Sequence, residues 1–181
     1  MKVLLEGPIF TQSGYGEHTR LVFRALRRNP ELKIFIDPLN WGVTGWKTSD
    51  IPEFEDMQKC VVAFAAIEEK NKNKKKSLTD AFESPFDVQI HVGILNEFKK
   101  KAAYSVEVTA GIETDRVSFE WLSKLITAEA PKKIIVPSQH SKKTFLETEY
   151  KVDRSAPDSK GSKSAKIVSL KETGIPVSVV P

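Results

Sequence analysis

The sequence has 181 residues, of which 40% are hydrophobic and 29% are charged, with a formal net charge of +4. This composition is typical of one globular domain, and it excludes a disordered, collagen-like or mucin-like chain. No apolar run reaches the roughly 18 residues that a membrane span needs, and Glu6 interrupts an N-terminal apolar run too short for a signal peptide. Because the single cysteine, Cys60, cannot form an internal disulfide, we expect a cytoplasmic protein.

Hydrophobic patterning predicts strands that alternate with helices. The predicted strands cover 2–6, 32–36, 87–92, 105–109, 132–136 and 176–180. Helical spacing of apolar residues predicts helices after the first strand, over about 51–70, over 118–130 and from Ser138 to about Tyr150. A Ser-, Lys- and Asp-rich stretch at 153–166 predicts a flexible surface loop.

This order of elements predicts an α/β fold, because a helical crossover between strands places them parallel in one sheet. We predict a Rossmann-like, open, mostly parallel sheet flanked by helices, as a single domain over 1–181. Ligands bind beyond the carboxyl ends of the strands in such sheets, so functional residues are expected in the loops that follow the strands. The chain stops directly after an apolar strand, from which we expect a cut at a domain boundary.

The first such loop contains Ser13-Gly14-Tyr15-Gly16. Its glycines allow the backbone to approach a ligand, and the start of the next helix suits a phosphate or a sugar hydroxyl. It is not a complete dinucleotide motif, because Thr19 stands where a third glycine would be. Asp37 follows the second strand where a ribose-binding acid would lie, so a nicotinamide enzyme and a plain turn both remain open.

Two carboxylates, Glu113 and Asp115, lie in the loop after the fourth strand. Carboxylates there accept hydrogen bonds from sugar hydroxyls or pair with Arg116. The alternative is structural, with Asp115 or Ser118 capping the next helix.

Other candidates follow the third and fifth strands. Ser138 is placed to cap a helix. Histidine is the side chain used for proton transfer near neutral pH, so His140 could bind phosphate, transfer a proton or simply lie at the surface. Asn96 and Glu97 follow the third strand, within which His91 is expected to pack. No metal-ligand spacing, nucleophile elbow or Walker loop appears, which disfavours metal sites, hydrolases and nucleotide triphosphatases.

Lysine runs at 70–76 and 99–101 hold much of the positive charge. Neither is interleaved with aromatic residues, so we expect solvated surface and no specific nucleic-acid binding.

Several segments, in this order, resemble the N-terminal domain of a GT-B glycosyltransferase of the group 1-like kind. They are the opening strand with 13–16, the segment 111–116 followed by Trp121, and the segment 135–142. The closing segment 176–181 resembles the strand before the interdomain linker of those enzymes. The resemblance implies a domain that holds a sugar or glycan acceptor, while a C-terminal domain, absent here, holds the nucleotide-sugar donor.

The resemblance also implies roles for individual residues. Glu113 and His140 are the candidate catalytic residues. The candidate substrate- or donor-binding residues are Ser13, Gly14, Tyr15, Gly16, Asn96, Glu97, Thr114 and Ser138. We expect a carboxylate to assist proton removal from the acceptor, with no metal and no cofactor other than the nucleotide sugar as co-substrate. The chain alone should be inactive. The alternatives are a non-catalytic sugar- or nucleotide-binding domain and an NAD-dependent oxidoreductase domain.

Overall fold

The computed structural model describes residues 1–46, 52–62, 84–110, 112–153 and 165–180. The strands are β1 (Lys2–Gly7), β2 (Lys33–Pro38), β3 (Val88–Val92), β4 (Tyr104–Val108), β5 (Lys133–Val136), β6 (Glu149–Asp153), β7 (Ala165–Ser169) and β8 (Val177–Val179). The helices are α1 (Gly14–Arg27), α2 (Phe54–Cys60), α3 (Phe119–Leu125) and α4 (Gln139–Glu147). Short 3₁₀ helices cover Leu95–Glu97 and Leu170–Thr173. No described helix is both long and apolar enough to cross a membrane.

Six strands form one sheet in the order β2-β1-β3-β4-β5-β8. The pairs β1–β2, β1–β3 and β5–β8 are parallel. These are the six strands that the sequence predicts, and the Rossmann-like, mostly parallel sheet is confirmed. The order reverses between β1 and β3, so the ligand crevice characteristic of doubly wound sheets is expected at their carboxyl ends.

A further parallel contact extends the sheet beyond β2. Val61 forms an isolated parallel bridge with Ile36, and the Val62 N–H donates to the Ile36 carbonyl at 2.8 Å. With Val61 counted as a strand position, the order by chain position becomes 3-2-1-4-5-6-7, which contains the dinucleotide-fold order. The predicted helix over 51–70 is therefore wrong at Val61, where β-branched residues favour extended backbone. Its later part lies outside the described residues.

The chain divides into two compact units. Unit 1 comprises Met1–Gly93 and Lys100–Val106, and unit 2 comprises Ile94–Lys99 and Glu107–Pro181.

In unit 1, β1 is buried on both of its faces. Leu4 packs with Phe86 and Ala102 in one apolar cluster, while α1 contacts β1 and buries Phe23. Ion pairs connect α1 to α2, with Arg27 2.9 Å from Asp56.

The core of unit 2 is one cluster of buried aliphatic and aromatic side chains. Its members include Leu122, Leu125, Ile134, Val136, Phe145, Val168 and Val177. Trp121 stacks on Phe145 with 6.1 Å between the ring centroids. The cluster joins α3, α4, β5, β7 and β8.

The predicted helix from Ser138 to Tyr150 is too long, because α4 ends at Glu147. Thr148 is extended, and its hydroxyl donates to the Thr144 carbonyl at 2.7 Å and accepts the Val117 N–H at 3.0 Å. The following residues pair antiparallel as β6 with β7, a hairpin that the sequence analysis missed. The predicted 153–166 loop lies mostly outside the described residues, but Asp153 ends β6 and Ala165 begins β7.

We predict that Leu122→Ala lowers the free energy of unfolding of unit 2 by about 2–5 kcal/mol, because it leaves a cavity at a fully buried position. Urea unfolding followed by fluorescence measures the change. Ile126→Ala is the matched control, since Ile126 is 41% exposed directly after α3 in the same unit and should change stability by less than about 0.5 kcal/mol. Equal effects of the two substitutions would contradict this core.

Candidate functional site

The loop after β1 is held by hydroxyl side chains. Ser13 is the N-cap of α1, with extended backbone, and its hydroxyl accepts the Gly16 N–H at 2.9 Å. The Thr11 hydroxyl lies 2.7 Å from the Ser13 hydroxyl and donates to the Pro8 carbonyl at 2.9 Å. The Ser13 hydroxyl, which the sequence analysis assigned to ligand binding, therefore also holds the loop together.

A buried arginine of α1 holds the same loop in place through hydrogen bonds to its carbonyl groups. Arg20 is 3% exposed, and its Nη1 donates to the carbonyls of Ile9 at 2.7 Å and Thr11 at 3.0 Å. Its Nε donates to Glu17 at 3.0 Å, and this hydrogen bond lowers the pKa of the Glu17 carboxyl. Sequence analysis gave Arg20 no role, because no local pattern shows that a helical arginine reaches back to a loop.

The two glycines of the loop differ in what surrounds them. A Cβ on Gly16 would overlap the Thr11 carbonyl oxygen and lie 2.9 Å from the Pro8 carbonyl oxygen, whereas Gly14 has nothing within 4 Å of that position. Gly16 is thus required for close packing inside the loop. Gly14 is exposed, and its backbone is open to a ligand.

An aromatic segment, residues 41–46, lies along this loop. The Gln12 N–H donates to the Gly45 carbonyl at 2.9 Å, and Thr11 forms an antiparallel bridge with Trp46. The Tyr15 ring centroid lies 4.6 Å from that of Trp41. The predicted binding residue Tyr15 is therefore part of an aromatic surface.

A buried network of charges lies at the carboxyl ends of β1 and β2. Glu6 is 3% exposed, and its Oε1 lies 2.6 Å from the Lys101 Nζ, which also contacts the Asp37 Oδ2 at 2.7 Å. The Gln89 amide donates to the other Glu6 oxygen at 2.8 Å and accepts the Lys101 backbone N–H at 2.7 Å. Lys101 thus bridges two carboxylates on neighbouring strands.

This network changes the interpretation of Asp37. The sequence places Asp37 where a ribose-binding acid would lie, but its carboxylate is bound by Lys101. Burial opposes the charged form of Lys101, yet the charges and hydrogen bonds of Glu6 and Asp37 outweigh it and raise the pKa of the ammonium. Asp37 is therefore committed to an internal ion pair.

In unit 2, hydrogen bonds join two of the predicted loops. Ser138 caps α4 by accepting the Ser141 N–H at 3.1 Å, which confirms the predicted cap, and the Ser141 hydroxyl accepts the Ile112 N–H at 3.1 Å. The His140 Nε2 lies 3.1 Å from the Thr114 carbonyl. Thr114, Ser138 and His140 are thus brought together.

The contact with Thr114 determines which ring nitrogen of neutral His140 carries the proton. A carbonyl oxygen only accepts hydrogen bonds, so the Nε2 carries the proton and Nδ1 keeps its lone pair. Glu113 is exposed next to Thr114 in the chain. The exposed carboxylates of Glu113 and Asp115, on either side of Thr114 in the chain, and the Nδ1 of His140 are therefore candidate proton acceptors in unit 2.

The remaining candidates have simpler roles. Asn96 and Glu97 are exposed on a 3₁₀ helix anchored by buried Leu95 and Phe98. Among the described residues, no hydrogen bond or ion pair is seen between that helix and the Thr114–His140 group. Ser118, not Asp115, caps α3 by accepting the Trp121 N–H at 3.3 Å.

His91 is fully buried, as expected of a packing residue. Cys60 is partly buried, and burial raises the pKa of its thiol, which disfavours a nucleophilic role. Within the described ranges, no group of three His, Cys, Asp or Glu side chains is arranged to hold a metal ion.

Comparison with protein-family models, with curated proteins and with solved structures finds no significant match to this chain.

We predict that Gly16→Ala lowers the free energy of unfolding by about 1–3 kcal/mol, because the new methyl group meets backbone oxygens that cannot move aside easily. Gly14→Ala is the matched control and should leave stability unchanged or raise it by up to about 1 kcal/mol. Thermal unfolding of both variants checks this, and a stable Gly16→Ala protein would contradict the packing role.

We also predict that Lys101→Met destabilises unit 1 by about 3–5 kcal/mol near neutral pH, because it leaves Glu6 and Asp37 without their cation. Lys132→Met, at an exposed lysine, is the control. The raised pKa sets the sign of the pH dependence. The contribution of Lys101 is complete below its unfolded pKa of 10.5 and is lost as the pH rises through the higher folded value. The stability difference between wild type and Lys101→Met should therefore shrink in that alkaline range, and a constant difference would contradict the network.

Proposed function

We propose that this chain is the acceptor-binding domain of a glycosyltransferase that uses a nucleotide-sugar donor. The observation that carries the proposal is the strand order, which reverses between β1 and β3. Such a reversal is where doubly wound sheets bind nucleotides and related ligands. The loop with Ser13, Gly14, Tyr15 and Gly16 leaves β1 at that point.

The character of this loop supports a sugar ligand. It is held rigid by Arg20 and by its own hydroxyls, so a ligand pays little ordering entropy on binding there. Tyr15 and Trp41 provide aromatic surface, which packs well against the apolar face of a sugar ring. The segments that resemble a GT-B domain include this loop.

The resemblance to GT-B enzymes assigns proton transfer to Glu113 and His140, which both belong to unit 2. In the proposed reaction, the acceptor hydroxyl loses its proton to the Glu113 carboxylate while its oxygen bonds to the anomeric carbon of the donor. The bond from that carbon to the donor diphosphate breaks, and the diphosphate leaves with the electron pair. His140, with Nδ1 unprotonated in its neutral form, is proposed as the alternative acceptor of this one proton.

The pairing of Asp37 favours this proposal over a nicotinamide enzyme. An oxidoreductase of the dinucleotide-binding type needs the acid after β2 to accept hydrogen bonds from the ribose hydroxyls. Here that acid is held by Lys101 at 2.7 Å. Ribose recognition would have to break a partly buried ion pair, which is costly.

We predict that the full-length natural gene product containing this chain transfers a sugar from at least one donor in a panel of UDP-, GDP- and ADP-sugars to saccharide acceptors. Glu113→Gln should lower the transfer rate by about 10²–10⁴-fold, the usual contribution of a general base. The 181-residue chain alone should be inactive.

Glu120→Gln, at an exposed glutamate in the first turn of α3, is the matched control and should retain the wild-type rate. Transfer of each donor is measured by product formation. Saccharide binding without transfer from any donor would identify a non-catalytic binding domain, and binding of NAD in place of sugars would identify an oxidoreductase. Either result would overturn the proposal.

A further inference from the structure

We propose that Trp46, supported by Phe10, is a stacking platform for a neutral saccharide. This inference deepens the proposed function, on which it rests for naming the bound saccharide as the acceptor. It concerns unit 1 alone and is carried by the aromatic segment at residues 41–46 together with the loop at 8–16.

The Trp46 side chain is exposed, and it packs against the buried ring of Phe10. It stacks on Phe10 with 5.5 Å between ring centroids and 20° between ring planes, and Phe10 is buried against the edge of Phe54 at 5.3 Å. Trp46 nevertheless remains 48% exposed. Phe10 stacks on one face of the indole, and nearly half of the side chain stays accessible for contact with a flat ligand.

The backbone beneath this platform is also fixed. Trp46 pairs with Thr11 in an antiparallel bridge, and the neighbouring residues are joined by the hydrogen bond from the Gln12 N–H to the Gly45 carbonyl. The preceding turn is closed by the Thr44 hydroxyl, which donates to the Trp41 carbonyl at 2.6 Å. An exposed aromatic on a rigid backbone binds with a small entropy cost, because few rotamers are lost.

The charge of the surroundings identifies the kind of ligand. The chain is 29% charged, yet the segments 8–16 and 39–46 contain no Asp, Glu, Lys, Arg or His. The carboxylate next to Phe54, Glu53, is already paired with Arg24 at 3.1 Å. A nucleotide or a phosphosugar is bound through cationic side chains or free backbone N–H groups. These segments contain no cationic side chain, and the Gly16 N–H is already bound by Ser13.

A neutral saccharide matches both the exposed indole and the uncharged segments around it. One face of a pyranose ring carries mainly C–H groups that pack on an indole, while its hydroxyls exchange hydrogen bonds with neutral groups such as the exposed Gln12 amide and the Thr44 oxygen. A purely apolar partner would leave those polar groups without hydrogen bonds. The proposed ligand of Trp46 is therefore an uncharged sugar.

The test titrates the 181-residue chain with maltose, cellobiose, lactose and N,N′-diacetylchitobiose at millimolar concentrations. The indole N–H resonances of the three tryptophans are followed by NMR, with Trp46→Phe identifying the Trp46 signal. We expect at least one disaccharide to shift that signal in a saturable way. Affinities are compared by isothermal titration calorimetry, because Trp46→Ala lacks the Trp46 indole signal. Trp46→Ala should weaken binding about tenfold, which is the scale of a lost stacking contact.

Phe119→Ala is the matched control, because Phe119 is also 43% exposed and also packs on an aromatic ring, that of Tyr150 at 5.5 Å. It should leave the affinity unchanged. Equal affinity of Trp46→Ala and wild type, or no shift with any disaccharide, would overturn the platform. A shift with UDP-glucose but with none of the neutral sugars would also overturn it, as would self-association of the chain that Trp46→Ala abolishes.

The stacking platform and the proposed transferase function can fail independently in these experiments. If a disaccharide binds without moving the Trp46 signal, the platform fails while sugar transfer by the gene product still stands. If Trp46 binds the sugar but no donor supports transfer, the platform stands and the transferase proposal fails.

Discussion

The complete burial of β1 is the constraint on which much of unit 1 depends. From Val3 to Gly7 every residue of this strand is buried, so each polar group at its end must find a partner within the protein. Glu6 is the costly case, because an ionised carboxylate at 3% exposure needs a cation. Lys101 meets that need, and Gln89 satisfies the second carboxylate oxygen.

The same constraint acts on the loop that leaves β1. Its carbonyls at Ile9 and Thr11 are buried, and the Arg20 guanidinium donates to both. Because Arg20 belongs to α1, the helix that follows the loop also holds the loop in place. The shape of the proposed ligand-binding surface is therefore set by helix–strand packing and not by the loop residues alone.

Sequence patterning predicted the sheet because short apolar runs bounded by turn residues are typical of strands buried on both faces. It placed all six strands of the sheet and the Ser138 cap. It could not identify Lys101 as the partner of Glu6, since 95 residues separate them and a lysine run is read as solvated surface.

The misplaced end of α4 and the missed role of Gly16 arise because one sequence pattern fits two structures. At the end of α4, Glu149–Asp153 alternates between polar and apolar residues, a strand signal that the sequence analysis passed over in favour of continuing the helix. The role of Gly16 was likewise hidden, because a glycine that packs against its own loop looks, in sequence, like one that makes room for a ligand.

The distribution of charge separates the two possible sugar ligands of a transferase. A nucleotide-sugar donor brings a diphosphate, which is bound through cations or free backbone N–H groups. Arg20, the cation that contacts the loop after β1, is 3% exposed and is committed to two carbonyls and to Glu17. The Gly16 N–H at the start of α1 is already bound by Ser13. A surface whose contacting arginine is used internally, and which presents an indole and neutral polar groups outward, is suited to an uncharged acceptor rather than to a diphosphate.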